Sequence, residues 1–134
     1  FMLGAMGVQV GTRFLVANEC TISQVYKDKV LKAKDTDTIV TGKRLGHPMR
    51  SLKNPFSREF AKLEYDTSMT AEELEKMGVG ALRRAAREGD AKGGTFLAGQ
   101  VASMVKKEQP AAEIISEMFT EAEEILKGAT KWVK

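Results

Sequence analysis

The segment Gly7–Phe14, with the sequence GVQVGTRF, contains residue types that could bind a phosphate group. Glycine lets backbone N–H groups approach an anion closely, because it has no Cβ in the way. Gly11 and Thr12 would lie at the carboxyl end of a buried strand, a position at which α/β folds often bind phosphate. Short glycine patterns are common, so an ordinary glycine turn after a strand is the alternative.

A second glycine-rich segment runs from Gly89 to Gln100. Gly93 and Gly94 precede a predicted helix, whose first N–H groups are unpaired and carry the positive end of the helix dipole. Gly99 within a helix would cost about 1 kcal/mol relative to alanine, so close packing or close approach of a ligand would account for it. A flexible loop, with Gly99 in a helix–helix contact, is the alternative.

His47 and Cys20 are the single histidine and the single cysteine of the chain. His47 could donate a proton or contact a nucleotide phosphate, although a lone histidine in a Gly-His-Pro turn usually does neither. Cys20 has no second cysteine or histidine nearby and is interpreted as a small buried hydrophobe. Such a composition excludes an intrachain disulfide and a zinc site made only of cysteine and histidine, so we predict no metal.

The composition is that of a folded protein rather than a disordered one. The chain has 134 residues, of which 43% are apolar and 29% are charged. Its formal net charge of +3 is too small to indicate nucleic-acid binding. No apolar run approaches the roughly 18 residues of a membrane span, and no signal peptide begins the chain. We therefore expect a soluble cytoplasmic domain that binds neither nucleic acid nor membrane.

The hydrophobic pattern predicts an α/β arrangement of elements. The predicted strands cover residues 8–16, 38–41 and 49–52, and the predicted helices cover 21–34, 80–88, 95–107 and 110–127, with two more beginning after Asn54 and Thr70. The strand at 8–16 is apolar on both faces, which is typical of a parallel sheet covered by helices. No parallel partner for it is predicted within this chain.

Several motifs, taken in order, resemble one family of flavoenzymes. They include FMLGAMGVQVGTRF at residues 1–14, Gly-His-Pro-x-Arg at 46–50 and Gly-Gly-Thr-x-Leu-Ala-Gly-Gln at 93–100. Together they resemble the flavin-dependent enoyl-acyl-carrier-protein reductases of the FabK type. The nitronate monooxygenases, also called 2-nitropropane dioxygenases, are close relatives of these reductases.

The resemblance implies the C-terminal part of an FMN-binding (β/α)8 TIM barrel with a small inserted α+β domain. Residues 1–20 would form the last barrel strand, residues 21–80 the inserted domain, and residues 81–134 the closing helices. The strand without a partner would then be explained by seven barrel strands outside this chain. A piece of a barrel should expose apolar surface, so the N-terminal barrel portion or a second copy is the expected partner.

The resemblance also assigns residues to a site. Gln9, Gly11 and Thr12 would bind FMN, and the segment Leu97, Ala98, Gly99 and Gln100 would lie beside the flavin and the substrate. His47 and Arg50 would face the nicotinamide nucleotide. The family's proton-transferring histidine would lie upstream, so no catalytic residue is expected here.

The implied reaction transfers a hydride from NAD(P)H through FMN to the 2,3 double bond of an enoyl-acyl-carrier-protein thioester, in fatty acid biosynthesis. Residues 35–54 favour this reductase function. One alternative is a nitronate monooxygenase, which uses the same flavin with dioxygen. A second alternative is that the isolated chain is inactive and needs the N-terminal half of the barrel.

Overall fold

The computed structural model describes residues 1–129 and residue 131, which form helices around a small sheet. The α-helices are α1 (Gln24–Leu31), α2 (Pro55–Leu63), α3 (Ala71–Gly78), α4 (Ala81–Arg83, continued by a π-helical turn over Arg84–Glu88) and α5 (Ala111–Ala129). The two strands are β1 (Thr38–Thr41) and β2 (Met49–Leu52). Two 3-10 turns cover Thr12–Val16 and Gln100–Met104. The mixture of helices and strands agrees with part of an α/β fold.

Two helix starts are set by local capping, as the sequence predicts. The Asn54 side chain accepts a hydrogen bond from the backbone N–H of Ser57, and Pro55 is the first residue of α2. Thr70 and Glu73 form a reciprocal capping box at the start of α3. Both patterns satisfy backbone N–H groups that have no partner within the helix.

Strands β1 and β2 form an antiparallel hairpin in which Thr38 is paired with Leu52 and Thr41 with Met49. Gly42 begins the connecting loop at φ +80°, and a Cβ there would lie 2.5 Å from the carbonyl oxygen of His47. The buried carboxylate of Glu64, in α2's C-terminal turn, accepts the N–H of Gly42. The bond to Glu64 thus holds the loop end of the hairpin, which precedes Met49, against the end of α2.

The predicted strand at 8–16 is wrong for this chain. Residues 7–11 have no regular secondary structure, and Thr12–Val16 form a 3-10 turn. A parallel strand needs hydrogen-bonding neighbours, and in the described part of the chain the only sheet is the β1–β2 hairpin. The apolar residues therefore fold back as a turn that buries Val16 completely.

The predicted helix at 95–107 is also wrong, because only Gln100–Met104 are helical, as a 3-10 turn. The Phe96 carbonyl accepts the N–H of Leu52 at 2.8 Å, and the N–H of Ala98 donates to the Arg50 carbonyl at 3.2 Å. Residues 96–98 thus lie extended along the free edge of β2, with Leu97 opposite Ser51. The edge of a two-stranded sheet offers unpaired backbone groups, and these outweigh the weak helix propensity of a segment that contains Gly99.

The hydrophobic core is built from separated parts of the sequence. Its buried residues include Val16, Tyr26, Val30, Phe96 and Val105. The first two predicted segments, 1–20 and 21–80, and the closing segment from 81 all contribute to this one cluster. The division into those three segments stays a prediction.

Apolar surface is exposed at both ends of the described chain. Leu3 and Met6 are almost fully exposed near the N-terminus, and Phe119 and Ile125 are exposed on α5. Ile114, by contrast, lies in the first turn of α5 and is almost fully buried. Among the described residues, no helix has the length and apolar character needed to cross a membrane.

Candidate functional site

The two segments that the sequence singles out are joined by one hydrogen bond. The hydroxyl oxygen of Thr12, Oγ1, accepts the backbone N–H of Gly99 at 2.9 Å. Thr12 is the first residue of a 3-10 turn, whereas Gly99 ends the extended segment beside β2. Residues that are 87 positions apart in the sequence therefore form one surface.

An open cavity of about 450 Å³ lies on this surface. Its walls contain Gly11, Thr12, Leu15, Met49, Arg50, Leu97, Ala98 and Gly99. The sequence predicts five of these residues to bind or border the flavin, and it predicts Arg50 to face the nicotinamide nucleotide instead. Leu15 and Met49 were missed, although Met49 precedes Arg50 in the same strand and could have been included on that basis.

Hydrogen-bond donors are present among the residues that line this cavity. The Arg50 guanidinium donates one N–H to the Thr38 hydroxyl at 3.0 Å, and it has five N–H groups in all. In the described part of the chain, no acceptor is found for the backbone N–H of Gly11 or of Thr12. A Cβ at Gly11 would meet nothing within 4 Å, so backbone access there is open. Such a donor set fits a phosphate group.

Tyr26 fixes the backbone that borders the cavity. Its hydroxyl donates to the Leu97 carbonyl at 2.7 Å, and its ring packs edge-on against Phe96 with centroids 4.9 Å apart. Burial of the phenol raises the pKa of Tyr26 to about 12. The hydroxyl therefore stays protonated and keeps donating over the whole physiological pH range.

Three of the expected site residues lie outside this cavity. Gln9 is exposed in the irregular segment before Gly11, and Gln100 is exposed at the start of the second 3-10 turn. His47 is exposed in the hairpin loop, where its backbone N–H donates to the Gly42 carbonyl at 3.0 Å. The roles implied for Gln9, Gln100 and His47 stay predictions.

The backbone N–H groups of Gly93 and Gly94 form hydrogen bonds within their own loop. The Asp90 carboxylate accepts the backbone N–H groups of Lys92 at 3.0 Å and Gly93 at 2.9 Å, and these bonds lower its pKa. The N–H of Gly94 donates to the Asp90 carbonyl. The Gly93 and Gly94 amides, which the sequence offers as anion ligands, are thus already paired within the loop.

No metal centre is found within the described residues. They contain no group of three or more histidine, cysteine, aspartate or glutamate side chains placed to hold an ion. Cys20 is a free, partly buried cysteine.

Comparison with known proteins gives a consistent set of relatives. The family model for nitronate monooxygenase matches residues 1–121. A probable nitronate monooxygenase from Staphylococcus saprophyticus is 35% identical over 126 residues, which are 93% of this chain and 35% of that protein. A probable nitronate monooxygenase from Staphylococcus aureus strain N315 is 38% identical over 65 residues, 48% of this chain and 18% of that protein.

Solved structures of related enzymes resemble this chain as well. FabK from Thermotoga maritima has a TM-score of 0.92 and 39% identity, covering 98% of this chain and 42% of that one. Nitroalkane oxidase from Streptomyces ansochromogenes has a TM-score of 0.73 and 27% identity, covering 95% of this chain and 36% of that one. The chain thus spans well under half the length of these relatives. Because the family model and these relatives match nearly the whole chain, the chain belongs to the nitronate monooxygenase family of oxidoreductases, which includes FabK-like proteins.

Proposed function

We propose that this chain forms the C-terminal part of an FMN-dependent oxidoreductase that uses NAD(P)H to reduce the 2,3 double bond of enoyl-acyl-carrier-protein thioesters. The observation that carries the proposal is the hydrogen bond from the Gly99 amide to Thr12. It brings both segments that resemble flavin-binding regions to one cavity, which Arg50 also lines. In the whole protein, this cavity would be one side of a flavin site at the mouth of a TIM barrel.

The donor set of the cavity suits the phosphate of FMN. The backbone amides of Gly11 and Thr12 and the guanidinium of Arg50 would hold it through charge-assisted hydrogen bonds. Leu97 and Ala98 would border the flavin with apolar surface, and Tyr26 would keep the Leu97 backbone in place. When bound, FMN would supply the hydride-transfer chemistry, which this chain's residues only position.

Among the solved structures, the more similar one supports the reductase. Both the identity and the TM-score are higher for the FabK structure than for nitroalkane oxidase. A nitronate monooxygenase that uses FMN and dioxygen is the second candidate function, and it is favoured by the family model and by the curated staphylococcal relatives.

A comparison of substrates on the full-length protein tests the proposal. NAD(P)H oxidation should depend on an enoyl thioester and yield the saturated thioester. If instead an alkyl nitronate is consumed with dioxygen and the enoyl thioester has no effect, the reductase function is wrong and the second candidate is supported. Gly11→Ala should lower the affinity for FMN, whereas Gly7→Ala, which lies outside the cavity lining, is its control.

Apolar residues of the N-terminal segment and of α5 are exposed and could pack against a partner. We propose that they pack against the N-terminal barrel portion, and that the complete enzyme is a homodimer. Without that portion, the 134-residue chain would be inactive.

A further inference from the structure

A separate cavity of about 400 Å³ is lined by residues of α1, of the end of β2 and of α2. None of its described lining residues lines the candidate flavin cavity. Most of these lining residues are charged, four of them cationic and two of them carboxylates, so the formal net charge of the wall is +2. The cations are Lys29, Lys32, Lys53 and Arg58, and the carboxylates are Asp28 and Asp37.

The two carboxylates neutralise only part of this positive charge. Asp28 lies 3.8 Å from the Lys32 ammonium, with which it forms an ion pair along α1. The Asp37 carboxylate accepts the backbone N–H of Lys34 at 2.9 Å, and in the described part of the chain no ion pair of Asp37 is found. One of the four cations is therefore paired with a carboxylate, and three are not.

Those three cations have neutral partners or none. The Lys53 ammonium donates to the carbonyl of Thr36 at 2.6 Å. The Lys29 Nζ lies 5.0 Å from the centroid of the Phe96 ring, which attracts a cation but leaves the ammonium N–H groups without an acceptor. For the Arg58 guanidinium, the residues that the structure describes offer no hydrogen bond or ion pair. Like charges that share a cavity repel one another, so these three groups point to an anionic ligand between them.

The charge and the donors of the wall restrict that ligand. Arg58 is exposed, and Lys29 and Lys53 are half-buried, so a ligand can reach all three side chains from solvent. A dianionic phosphate group carries two negative charges, which match the net charge of the wall. Its oxygens accept several hydrogen bonds at once, and a guanidinium can bind two of them. A carboxylate has one charge and two oxygens, and would leave part of the positive charge unpaired.

We propose that this cavity binds a phosphate group, held by the ammonium groups of Lys29 and Lys53 and by the guanidinium of Arg58. The proposal does not depend on the flavin reaction. Free phosphate and a phosphate monoester share this chemistry. Val25, which is 39% exposed and lines the same cavity, would contact the organic group of an ester.

Inorganic phosphate and phenyl phosphate are the probes, titrated at constant ionic strength into the 134-residue chain labelled with carbon-13 at its valine methyl groups. The Val25 resonance should shift and saturate, whereas that of Val101, which is exposed outside the cavity, should not. Acetate, with a single charge, should bind at least about tenfold more weakly than phosphate. Tighter binding of phenyl phosphate would support the site and identify an ester as its ligand, and tighter binding of inorganic phosphate would support it and identify free phosphate.

Charge variants locate the binding groups. Arg58→Gln and Lys29→Gln should each weaken phosphate binding by about tenfold, the effect of one charge-assisted hydrogen bond. Lys106→Gln removes the same charge from an exposed position outside the cavity and should leave the affinity unchanged. A Val25 shift that does not saturate would overturn the proposal, as would acetate and phosphate binding equally well. Equal phosphate affinity of the folded Arg58→Gln variant and the original chain would overturn it too.

Discussion

The hydroxyl of Thr12 accepts a hydrogen bond from the backbone N–H of Gly99. This bond joins two of the segments that line the candidate flavin cavity, where six predicted site residues lie. Both partners lie at ends of elements, Thr12 at the start of a 3-10 turn and Gly99 just before another. Neither end is held by a regular ladder of hydrogen bonds at this point. The contact between the Thr12 and Gly99 segments therefore depends on a side chain and not on a ladder of backbone hydrogen bonds.

Replacing Thr12 by valine should destabilise the chain by about 1 kcal/mol, because the Gly99 amide loses its acceptor while the shape of the side chain is preserved. Thr12→Ser keeps the hydroxyl and should recover most of the loss. Urea unfolding followed by circular dichroism measures both effects. Equal midpoints for the valine and serine variants would show that the bond contributes nothing to stability.

Tyr26 should make stability depend on pH in the alkaline range. Burial raises its pKa to about 12, above the value of about 10 in the unfolded chain. Between these values the unfolded chain releases a proton that the folded chain retains, so the free energy of unfolding falls as the pH rises from about 10 to 12. Below pH 10 this contribution to stability is fully present.

Tyr26→Phe should remove that part of the pH dependence, and at neutral pH it should cost about 1 kcal/mol for the lost bond to the Leu97 carbonyl. Tyr65→Phe is the matched control, since Tyr65 is mostly exposed. Unfolding free energies measured from pH 8 to pH 12 give the comparison. If the two variants show the same alkaline slope, Tyr26 is not its source.

Asn54 joins two parts of the fold through opposite ends of one buried amide. Its oxygen caps α2 by accepting the Ser57 N–H, while its nitrogen donates to the carbonyls of Ala91 at 3.1 Å and Gly94 at 2.7 Å. Asn54→Ala should therefore cost about 2–4 kcal/mol, since both the cap and the buried donors are lost.

Asn54→Asp distinguishes the two roles of this side chain. Aspartate is as good an N-cap as asparagine, but its carboxylate would face the loop carbonyls without a proton to donate. It should be at least as destabilising as alanine when thermal unfolding is measured at neutral pH. A stability close to that of the original chain would mean that the cap alone matters.

The sequence predicts most accurately those features that a few neighbouring residues determine. The caps at Asn54 and Thr70 depend on side chains within three positions, and β1 and β2 pair across a short loop. The 8–16 strand fails because the described part of this chain offers it no hydrogen-bonding neighbour. The helix predicted to begin at Thr95 fails because the free edge of β2, more than 40 residues earlier, competes for the same backbone.

In the candidate site too, the sequence predicts some features correctly and others wrongly. The sequence predicts backbone access at Gly11 and Thr12, and the structure leaves that access open at Gly11. The sequence predicts the same access at Gly93 and Gly94, but Asp90 already pairs with their amides. Glycine spacing alone cannot separate the two cases, because the difference is whether a nearby side chain takes the N–H groups.

Gly94 should tolerate no side chain. A Cβ there would lie 2.7 Å from the backbone nitrogen of Ala85 and 2.7 Å from the Asp90 carbonyl oxygen, and backbone atoms cannot rotate away. Gly94→Ala should cost about 2–3 kcal/mol through overpacking. Gly11→Ala, where a Cβ meets nothing within 4 Å, is the control and should change stability by less than about 1 kcal/mol. Equal losses in both variants would contradict this packing.

The 134-residue chain alone should not retain FMN. Its candidate flavin cavity is open, and Gly11 is exposed. The rest of a closed barrel would be needed to cover the ring and exclude water. After incubation with FMN and gel filtration, the protein fraction should show no stoichiometric flavin absorbance, whereas the full-length protein should. A stoichiometric flavin band on the isolated chain would contradict this prediction and would place the whole of the binding energy within these residues.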